Sequence, residues 1–196
     1  KKGKKADAQR GYEIACKEWK DVRSFGQVFA FKGSELSLCI RGPVSVQPAF
    51  SVDPIDITSM QITKSVNSED KEGKSSDTMG MKHRVDFGVY ILKGSINVQL
   101  SEKTGFTEED AEKIKEAIRT LFVNDSSSAR PDGSMVMHKL YWWKHNCKIG
   151  QYSSHKVHNS IEIKKKEGVR NPRKIEDYEI ICHELPGLAV EEYEGL

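Results

Sequence analysis

The hydrophobic positions recur with two different spacings along this chain of 196 residues. The clearest helical spacing covers residues 107–123, where apolar side chains return every three or four positions. Thr107 is the expected N-cap of this helix, because three acids follow it and suit the positive end of the helix dipole. A weaker helical pattern predicts a second helix over residues 6–20, and residues 1–5 are expected to form a solvated basic tail.

Alternation of apolar and polar residues, which is typical of half-buried antiparallel strands, occurs in other segments. The strands predicted from the sequence lie at residues 26–31, 36–40, 43–50, 85–92, 95–100, 135–143, 153–164 and 178–182. The acidic C-terminal stretch is expected to be solvated. This mixture of helices and antiparallel strands predicts an α+β fold.

A polar segment, residues 66–77, separates two strand-like shoulders and contains no aromatic residue. Because such a segment cannot bury a core, residues 59–84 are expected to form a protruding hairpin. Both shoulders carry cations and small hydroxyl residues, which are groups that hold phosphates. The candidate nucleic-acid-binding residues in the shoulders are Gln61, Thr63, Lys64, Ser65, Thr78, Met79, Lys82 and His83. On the residues alone, an ordinary charged start of a strand remains an open alternative.

The composition narrows the classes of protein to which the chain can belong, but it does not identify a function. Charged residues make up 31% of the chain and hydrophobic residues 37%, which suits one globular domain over residues 1–196. The net charge is +2, so any surface that attracts nucleic acid must be local. No apolar run reaches membrane-spanning length and the four cysteines are scattered, so the sequence predicts a reduced, cytoplasmic chain that does not enter a membrane.

Residues 133–160 contain no acid and combine four lysines with four bulky aromatic side chains. This composition suits either a stacking platform for single-stranded nucleic acid or aromatic residues packed in the core. The same stretch holds His145, Cys147, His155 and His158, which form a candidate zinc set. Their spacing matches no common structural zinc site.

Catalytic motifs are sparse in this sequence. The chain has no Gly-x-Ser-x-Gly elbow and no Walker loop. His83 is a candidate for metal-independent RNA cleavage, and Asp77 is a candidate for metal-dependent cleavage of a bound strand. The sequence therefore favours a protein that is not an enzyme and has no cofactor, with a ribonuclease as an alternative.

Several short motifs resemble, in the same order, those of one protein family. They are Asp-Val-Arg-Ser-Phe-Gly at 21–26, Arg-Gly-Pro-Val at 41–44, Asp-Pro at 53–54, Ile-Thr-Lys-Ser at 62–65, Thr-Met-Gly-x-Lys-His at 78–83, Thr-Gly-Phe-Thr-Glu-Glu-Asp at 104–110 and Asp-Ser-Ser-Ser-Ala-Arg at 125–130. The chain resembles the backbone subunit of type I-C CRISPR surveillance complexes, a Csd-type member of the Cas seven family and of the RAMP superfamily. The resemblance extends over nearly the whole chain.

The resemblance implies a modified RRM or ferredoxin-like palm with a β-hairpin thumb between its second and third strands. It also places arginine at Arg23, Arg41 and Arg130, which become further candidate contacts for an RNA backbone. Relatives are longer at the N-terminus, so the chain is expected to lack the first strand and helix of the palm.

The function implied by the resemblance is that of a non-catalytic subunit in prokaryotic antiviral defence. Such a subunit polymerises along CRISPR RNA through contacts with other copies of itself and with other Cascade subunits, and it reaches target DNA through the guide. Two alternatives are an endoribonuclease of the RAMP superfamily and a zinc-stabilised RNA-binding module.

Overall fold

The computed structural model describes residues 2–30, 37–63 and 79–196, and it combines helices with short strands. The helices are α1 Lys2–Glu18, α2 Lys20–Phe25, α3 Val98–Thr104, α4 Glu108–Arg119 and α5 Ser154–His158, with a 3₁₀ turn at Ile175–Asp177. The strands are β1 Gly26–Ala30, β2 Ser37–Arg41, β3 Val44–Val46, β4 Phe50–Ser51, β5 Ile57–Thr63, β6 Met79–Val85, β7 Tyr90–Ile91, β8 Gly94–Ile96, β9 Lys139–Trp143, β10 Ile161–Lys165, β11 Tyr178–Cys182 and β12 Val190–Glu194. The prediction of an α+β fold is confirmed.

The strands of the described residues pair in twos, and all of these pairs are antiparallel. The pairs are β1–β2, β3–β8, β4–β7, β5–β6, β9–β12 and β10–β11. An RRM-like palm requires a sheet of four hydrogen-bonded strands. The RRM-like arrangement therefore stays a prediction, whereas the strands β5 and β6 of the predicted hairpin do pair with each other.

Internal contacts divide the chain into two compact units. Unit 1 comprises residues 2–47, 93–160 and 183–196, and unit 2 comprises residues 48–92 and 161–182. The described part of the expected thumb belongs to unit 2. That the whole of residues 1–196 forms a single domain stays a prediction.

The core of unit 1 lies where helices α1 and α2 pack on the β1–β2 hairpin. Its buried residues are Ala15, Cys16, Val22 and Ile40, with Tyr12, Phe29 and Leu38 packed around them. Pro43, directly after β2, is fully buried. A Cβ at the preceding Gly42 would overlap the backbone of Ser24 and Phe25. The Arg-Gly-Pro motif therefore has a structural reason, because only glycine allows this close crossing of two backbones.

Helix α4 begins at the predicted cap. The Thr107 hydroxyl accepts a hydrogen bond from the Asp110 amide at 3.3 Å, and the Asp110 carboxylate accepts one from the Thr107 amide at 3.0 Å. This reciprocal capping box satisfies amides that have no partner inside the helix. The helix ends at Arg119 rather than at the predicted residue 123, and the intervening residues form turns.

Residues 98–104 form helix α3, so the strand predicted over residues 95–100 is wrong beyond Ile96. The Asn97 side chain caps the helix by accepting a hydrogen bond from the Leu100 amide at 2.9 Å. Gly105, in the left-handed conformation at φ 74°, ends it. Three alternating apolar residues are too few to distinguish a strand from a helix, so the capping residues were the better signal.

Other predicted strands also differ from the structure in type or length, as two examples show. Residues 154–158 form helix α5 in place of the first half of the strand predicted over 153–164, because the Ser153 hydroxyl accepts a hydrogen bond from the Lys156 amide. Strand β9 begins at Lys139 rather than at residue 135.

Both ends of the chain are more ordered than the sequence predicts. Helix α1 begins at Lys2, so residues 2–5 are helical rather than a tail. The acidic C-terminal stretch forms strand β12, which pairs with β9. Glu192 of β12 forms an ion pair with Lys139 of β9, while the glutamates of the strand remain exposed as expected for a solvated stretch.

Candidate nucleic-acid interface

The β5–β6 hairpin carries most of the predicted contacts, and its register decides which of them share a face. Ile57 pairs with Val85, and the ladder continues to Thr63 opposite Met79. Directly opposed residues of an antiparallel pair point to the same face. One face therefore presents Ser59, Gln61, Thr63, Met79, Met81 and His83, and the other presents Thr58, Met60, Ile62, Gly80, Lys82 and Arg84.

Both faces of this hairpin are exposed. Met79 is 64% exposed, Met81 57% and Ile62 49%. A two-stranded ribbon with no covered apolar face is only marginally stable by itself in water. Exposed apolar patches on soluble proteins commonly mark contact surfaces. The hairpin is therefore the part of unit 2 that would gain most from being covered by a ligand or a partner.

Four of the predicted RNA-binding residues lie together on the first face. His83 Nδ1 is 2.8 Å from the Ser59 hydroxyl directly across the ladder. The Gln61 amide donates a hydrogen bond to the sulfur of Met79 at 2.7 Å, and Thr63 is directly opposite Met79. An imidazole, an amide and hydroxyls beside a flexible thioether can hold both the polar and the apolar parts of a nucleotide.

Lys82 lies on the opposite face of the hairpin. Its neighbour Arg84 donates from Nε to Asp86 at 2.7 Å, and the Thr58 hydroxyl donates to the other oxygen of Asp86 at 2.9 Å. The hydrogen bond from Thr58, followed by that from Arg84, lowers the pKa of Asp86 below its usual value. Among the described residues no carboxylate pairs with Lys82, so its ammonium group is available to neutralise a phosphate.

The three predicted arginines all belong to unit 1 and have different surroundings. Arg23 donates to both carboxylate oxygens of Asp110, at 2.8 and 2.6 Å, and its side chain is only 15% exposed. Arg130 donates to Asp125 at 3.1 Å and remains exposed. Arg41 is exposed and has no side-chain partner in the described part of the chain. Fold stability alone accounts for Arg23, and an RNA contact of each arginine stays a prediction.

The remaining predicted contacts cannot be placed. Lys64, Ser65 and Thr78 lie outside the described residues, as do the polar segment 66–77 and the candidate nuclease residue Asp77. The described hairpin ends at Thr63 and Met79. Roles for these residues therefore stay predictions from the sequence.

The lysines of residues 133–160 are engaged by groups in unit 1. Lys139 pairs with Glu192, Lys144 with Glu108 and Lys148 with Glu102, and the Lys156 ammonium lies 4.5 Å from the Tyr152 ring centre. The acids that this stretch lacks are thus supplied from elsewhere in the chain. The aromatic residues of β9 are half-buried, so the packed alternative accounts for this stretch better than a stacking platform.

The four candidate zinc ligands make separate contacts. His145 accepts a hydrogen bond from the Gln151 amide at 3.0 Å, and the ring of His158 is 2.9 Å from the Gly94 carbonyl oxygen. Cys147 is exposed and free. Within residues 2–30, 37–63 and 79–196, no group of three or more His, Cys, Asp or Glu side chains is arranged to hold a metal. The geometry therefore gives the zinc alternative no support.

Unit 2 also contains a cleft that the sequence analysis missed. It has a volume of about 230 Å³ and is lined by segments that follow β4 and β6 and by the β10–β11 connection. Its charged lining residues are Asp53, Asp56, Asp86, Lys165, Arg170 and Arg173. The sequence did contain a signal, because six cations lie between Lys164 and Lys174, but such a run is usually a solvated turn.

The fold and the hairpin define an α+β protein with an exposed ribbon of polar, cationic and apolar side chains. The family model for CRISPR-associated protein Cas7 matches residues 1–183. The chain therefore belongs to this family, whose members are components of CRISPR effector complexes. No curated protein matches the chain. Within the described ranges, no helix is both long and apolar enough to cross a bilayer.

Proposed function

We propose that the chain is the CRISPR-RNA-binding backbone subunit of a type I-C Cascade complex and that it is not itself an enzyme. The observation that carries this proposal is the β5–β6 hairpin, which exposes both polar and apolar side chains on both faces and buries almost none of them. Membership of the family supplies the CRISPR context. The motifs at residues 41–44 and 78–83 favour the type I-C branch.

The two faces of the hairpin suit two kinds of contact with a single strand of RNA. Lys82 supplies charge for a phosphate, and it lies beside the apolar side chains of Met60 and Ile62. Apolar side chains can insert between bases and unstack them. Such contacts hold the backbone whatever the base sequence, so sequence recognition of the target belongs to pairing with the guide.

The same proposal includes the partners and the location of the protein. An exposed hairpin that grips RNA held by the next copy makes a heterologous contact, which repeats along the RNA instead of closing. The subunit would thus assemble with other copies of itself and with other Cascade subunits, and meet target DNA through the guide, in the prokaryotic cytoplasm. An RRM-like palm in each copy would hold the backbone of the guide.

The first experiment tests whether the hairpin binds RNA by charge. Replacing Lys82 and Lys64 with alanine should weaken binding to any single-stranded RNA. It should also make the dependence of log Kd on log salt shallower by about 0.7 for each phosphate that the protein no longer neutralises. Arg10→Ala with Lys17→Ala removes the same charge from exposed positions of α1 and serves as the control. A salt slope equal to that of the wild type would show that the two lysines do not contact phosphates of the RNA.

The second experiment tests assembly by light scattering on RNAs of increasing length. The mass of the wild-type complex should rise in steps with RNA length. A variant without residues 66–77, which include only one apolar residue, should fold but lose this ordered assembly. A protein that stays monomeric on every RNA would refute the backbone role.

RNA gels with and without a chelator test cleavage, and cleavage by the wild type would favour the endoribonuclease alternative.

A further inference from the structure

The cleft of unit 2 offers two arginines outside the set of predicted contacts. We propose that Arg170 and Arg173 bind a phosphodiester of the same RNA strand that the β5–β6 hairpin contacts, so that the cleft is a second anchoring point for the backbone of that strand. This inference rests on the proposed RNA-binding function and adds a site to it.

The carboxylates that line the cleft are largely neutralised from within unit 2. Asp53 accepts a hydrogen bond from the Tyr178 hydroxyl at 2.7 Å and pairs with Lys165 at 3.1 Å. The hydrogen bond from Tyr178, followed by that from Lys165, lowers the pKa of Asp53. Asp86 is held by Thr58 and Arg84, as described above. These two aspartates therefore have partners already and do not require the cleft arginines as counter-ions.

The two arginines form no such hydrogen bond or ion pair, and the charge of Arg173 contributes only the smallest of the effects that lower the pKa of Asp86. Both are exposed, and neither forms a side-chain hydrogen bond or ion pair within the described residues. Asp56 is the lining carboxylate that likewise has no partner there, so two guanidinium groups face one free carboxylate. The charged lining residues alone balance, and Arg84, which pairs with Asp86 from outside the lining, gives the cleft and its immediate surroundings one excess positive charge. A guanidinium fork also matches the oxygens of a phosphate better than an ammonium group does.

The loop that carries the arginines is held in place by its own backbone. The Asp177 carboxylate accepts hydrogen bonds from the Arg173 amide at 2.7 Å and from the Lys174 amide at 3.1 Å. The Lys166 amide donates to the Asp177 carbonyl at 2.9 Å, which closes the loop at its other end. A loop fixed before a ligand arrives loses less conformational entropy on binding than a free one does.

Two contacts connect this loop to the base of the hairpin. The buried Tyr178 ring lies 6.5 Å from the Phe87 ring, centre to centre. Asp86, which directly precedes Phe87, contacts Arg84 of the hairpin and lines the cleft together with Arg173. A single strand lying along the Lys82 face can therefore reach the cleft without leaving unit 2.

The test is equilibrium binding of the full chain to a labelled single-stranded RNA at several salt concentrations. Arg170→Ala with Arg173→Ala should weaken binding about tenfold or more. It should also reduce the salt slope by about 0.7, because the protein no longer neutralises one phosphate. Arg170→Lys with Arg173→Lys should restore the slope but only part of the affinity, because the charge remains and the fork is absent. Asp56→Asn should tighten binding, since it removes repulsion from the phosphate.

Two controls separate this inference from the function on which it rests. Arg10→Ala with Lys17→Ala lowers the net charge equally at exposed sites of unit 1 and should leave the slope unchanged. Lys82→Ala reports on the hairpin alone. If Lys82→Ala weakens binding but the cleft variant behaves like the α1 control, the cleft site is refuted and the RNA-binding function stands. If the wild type does not bind RNA, both are refuted.

Discussion

Units 1 and 2 use their charged side chains in different ways. In unit 1, Asp110 is 4% exposed in its ion pair with Arg23, and Lys115 is 7% exposed between Glu112 and Glu191. In unit 2, the exposed Lys82, Arg170 and Arg173 have no carboxylate partner within the described residues. Removing one partner of a buried ion pair destabilises the fold because the other charge is left buried and unpaired, whereas an exposed cation without an acid is free to bind an anionic ligand.

The comparison predicts which substitutions change stability and which change binding. All three tryptophans, Trp19, Trp142 and Trp143, belong to unit 1. Their fluorescence therefore follows the unfolding of unit 1 in urea, while circular dichroism follows both units. Substitutions of the buried, paired charges of unit 1 should lower the unfolding free energy, and substitutions of the exposed charges of unit 2 that have no partner should not.

The largest loss of stability is expected for Lys115→Ala. Burial alone lowers the pKa of Lys115, but its hydrogen bonds to Glu191, Glu112 and Tyr193 outweigh burial and raise it. The ammonium also lies 5.2 Å from the Trp142 ring centre. Removing this side chain breaks the ion pair between α4 and β12. It should cost about 3 kcal/mol of unfolding free energy, measured by tryptophan fluorescence in urea.

Two variants show whether that loss comes from the buried charge. Lys115→Met keeps the apolar stem and should recover part of the stability. Lys113→Ala removes an exposed lysine of the same helix, paired with Glu109, and should leave the unfolding midpoint unchanged. Equal effects of Lys115→Ala and Lys113→Ala would show that burial of Lys115 does not determine its contribution to stability.

The next largest effect is an acid-dependent loss that arises from Asp110. The hydrogen bonds from Arg23 lower the pKa of Asp110 to about 2, from 3.8 for the free side chain, against the opposing effect of burial. Since the folded pKa lies below the unfolded one, the stabilisation is complete above about pH 4 and disappears as the pH falls towards 2. Asp110→Asn should therefore cost about 2 kcal/mol at pH 7 and close to nothing at pH 2, in matched urea titrations. If the difference in unfolding free energy between the wild type and Asp110→Asn did not vary with pH, the ion pair between Asp110 and Arg23 would not be its cause.

A smaller effect is expected at the N-cap of α4. Thr107→Ala removes the hydroxyl that accepts from the Asp110 amide, and it should cost about 1 kcal/mol in the same titration. Thr107→Ser keeps the hydroxyl and should retain most of the stability. A serine variant as unstable as the alanine variant would show that the methyl group, rather than the cap, provides the stabilisation.

The sequence could predict features that depend on neighbouring residues, but not those that depend on residues far away in the chain. The cap at Thr107 and strand β11 depend on neighbouring residues, so local patterns were sufficient for both. Strand β12 was missed because its acidic side chains meet lysines far away in the chain, such as Lys115. Local polarity alone indicates solvent for such a segment, and only the tertiary fold supplies the counter-ions.

The candidate site shows the same limit. A polar segment between two strand-like shoulders was enough to predict the hairpin, and its register then separates Lys82 from His83, which are adjacent in sequence. The partner of Arg23 lies 87 residues away, so its ion pair was not visible in the motif that contains it. Arg170 and Arg173 were missed for the opposite reason, since a run of cations gives no indication of which ones lack acids nearby.

The smallest effect on stability is expected for Lys82→Ala. Comparing this variant with Lys115→Ala is the most direct test of the difference between the two units. The substitution is chemically identical to Lys115→Ala, so the two variants differ only in where the lysine lies. Lys82 is exposed on a ribbon that buries almost nothing, and its removal should leave the unfolding midpoint unchanged by circular dichroism. The same variant should bind single-stranded RNA more weakly, with a salt slope shallower by about 0.7, whereas Lys115→Ala should bind normally wherever it is folded. A loss of stability in Lys82→Ala, or a loss of RNA affinity in folded Lys115→Ala, would show that the charges of the two units are not divided between binding and folding.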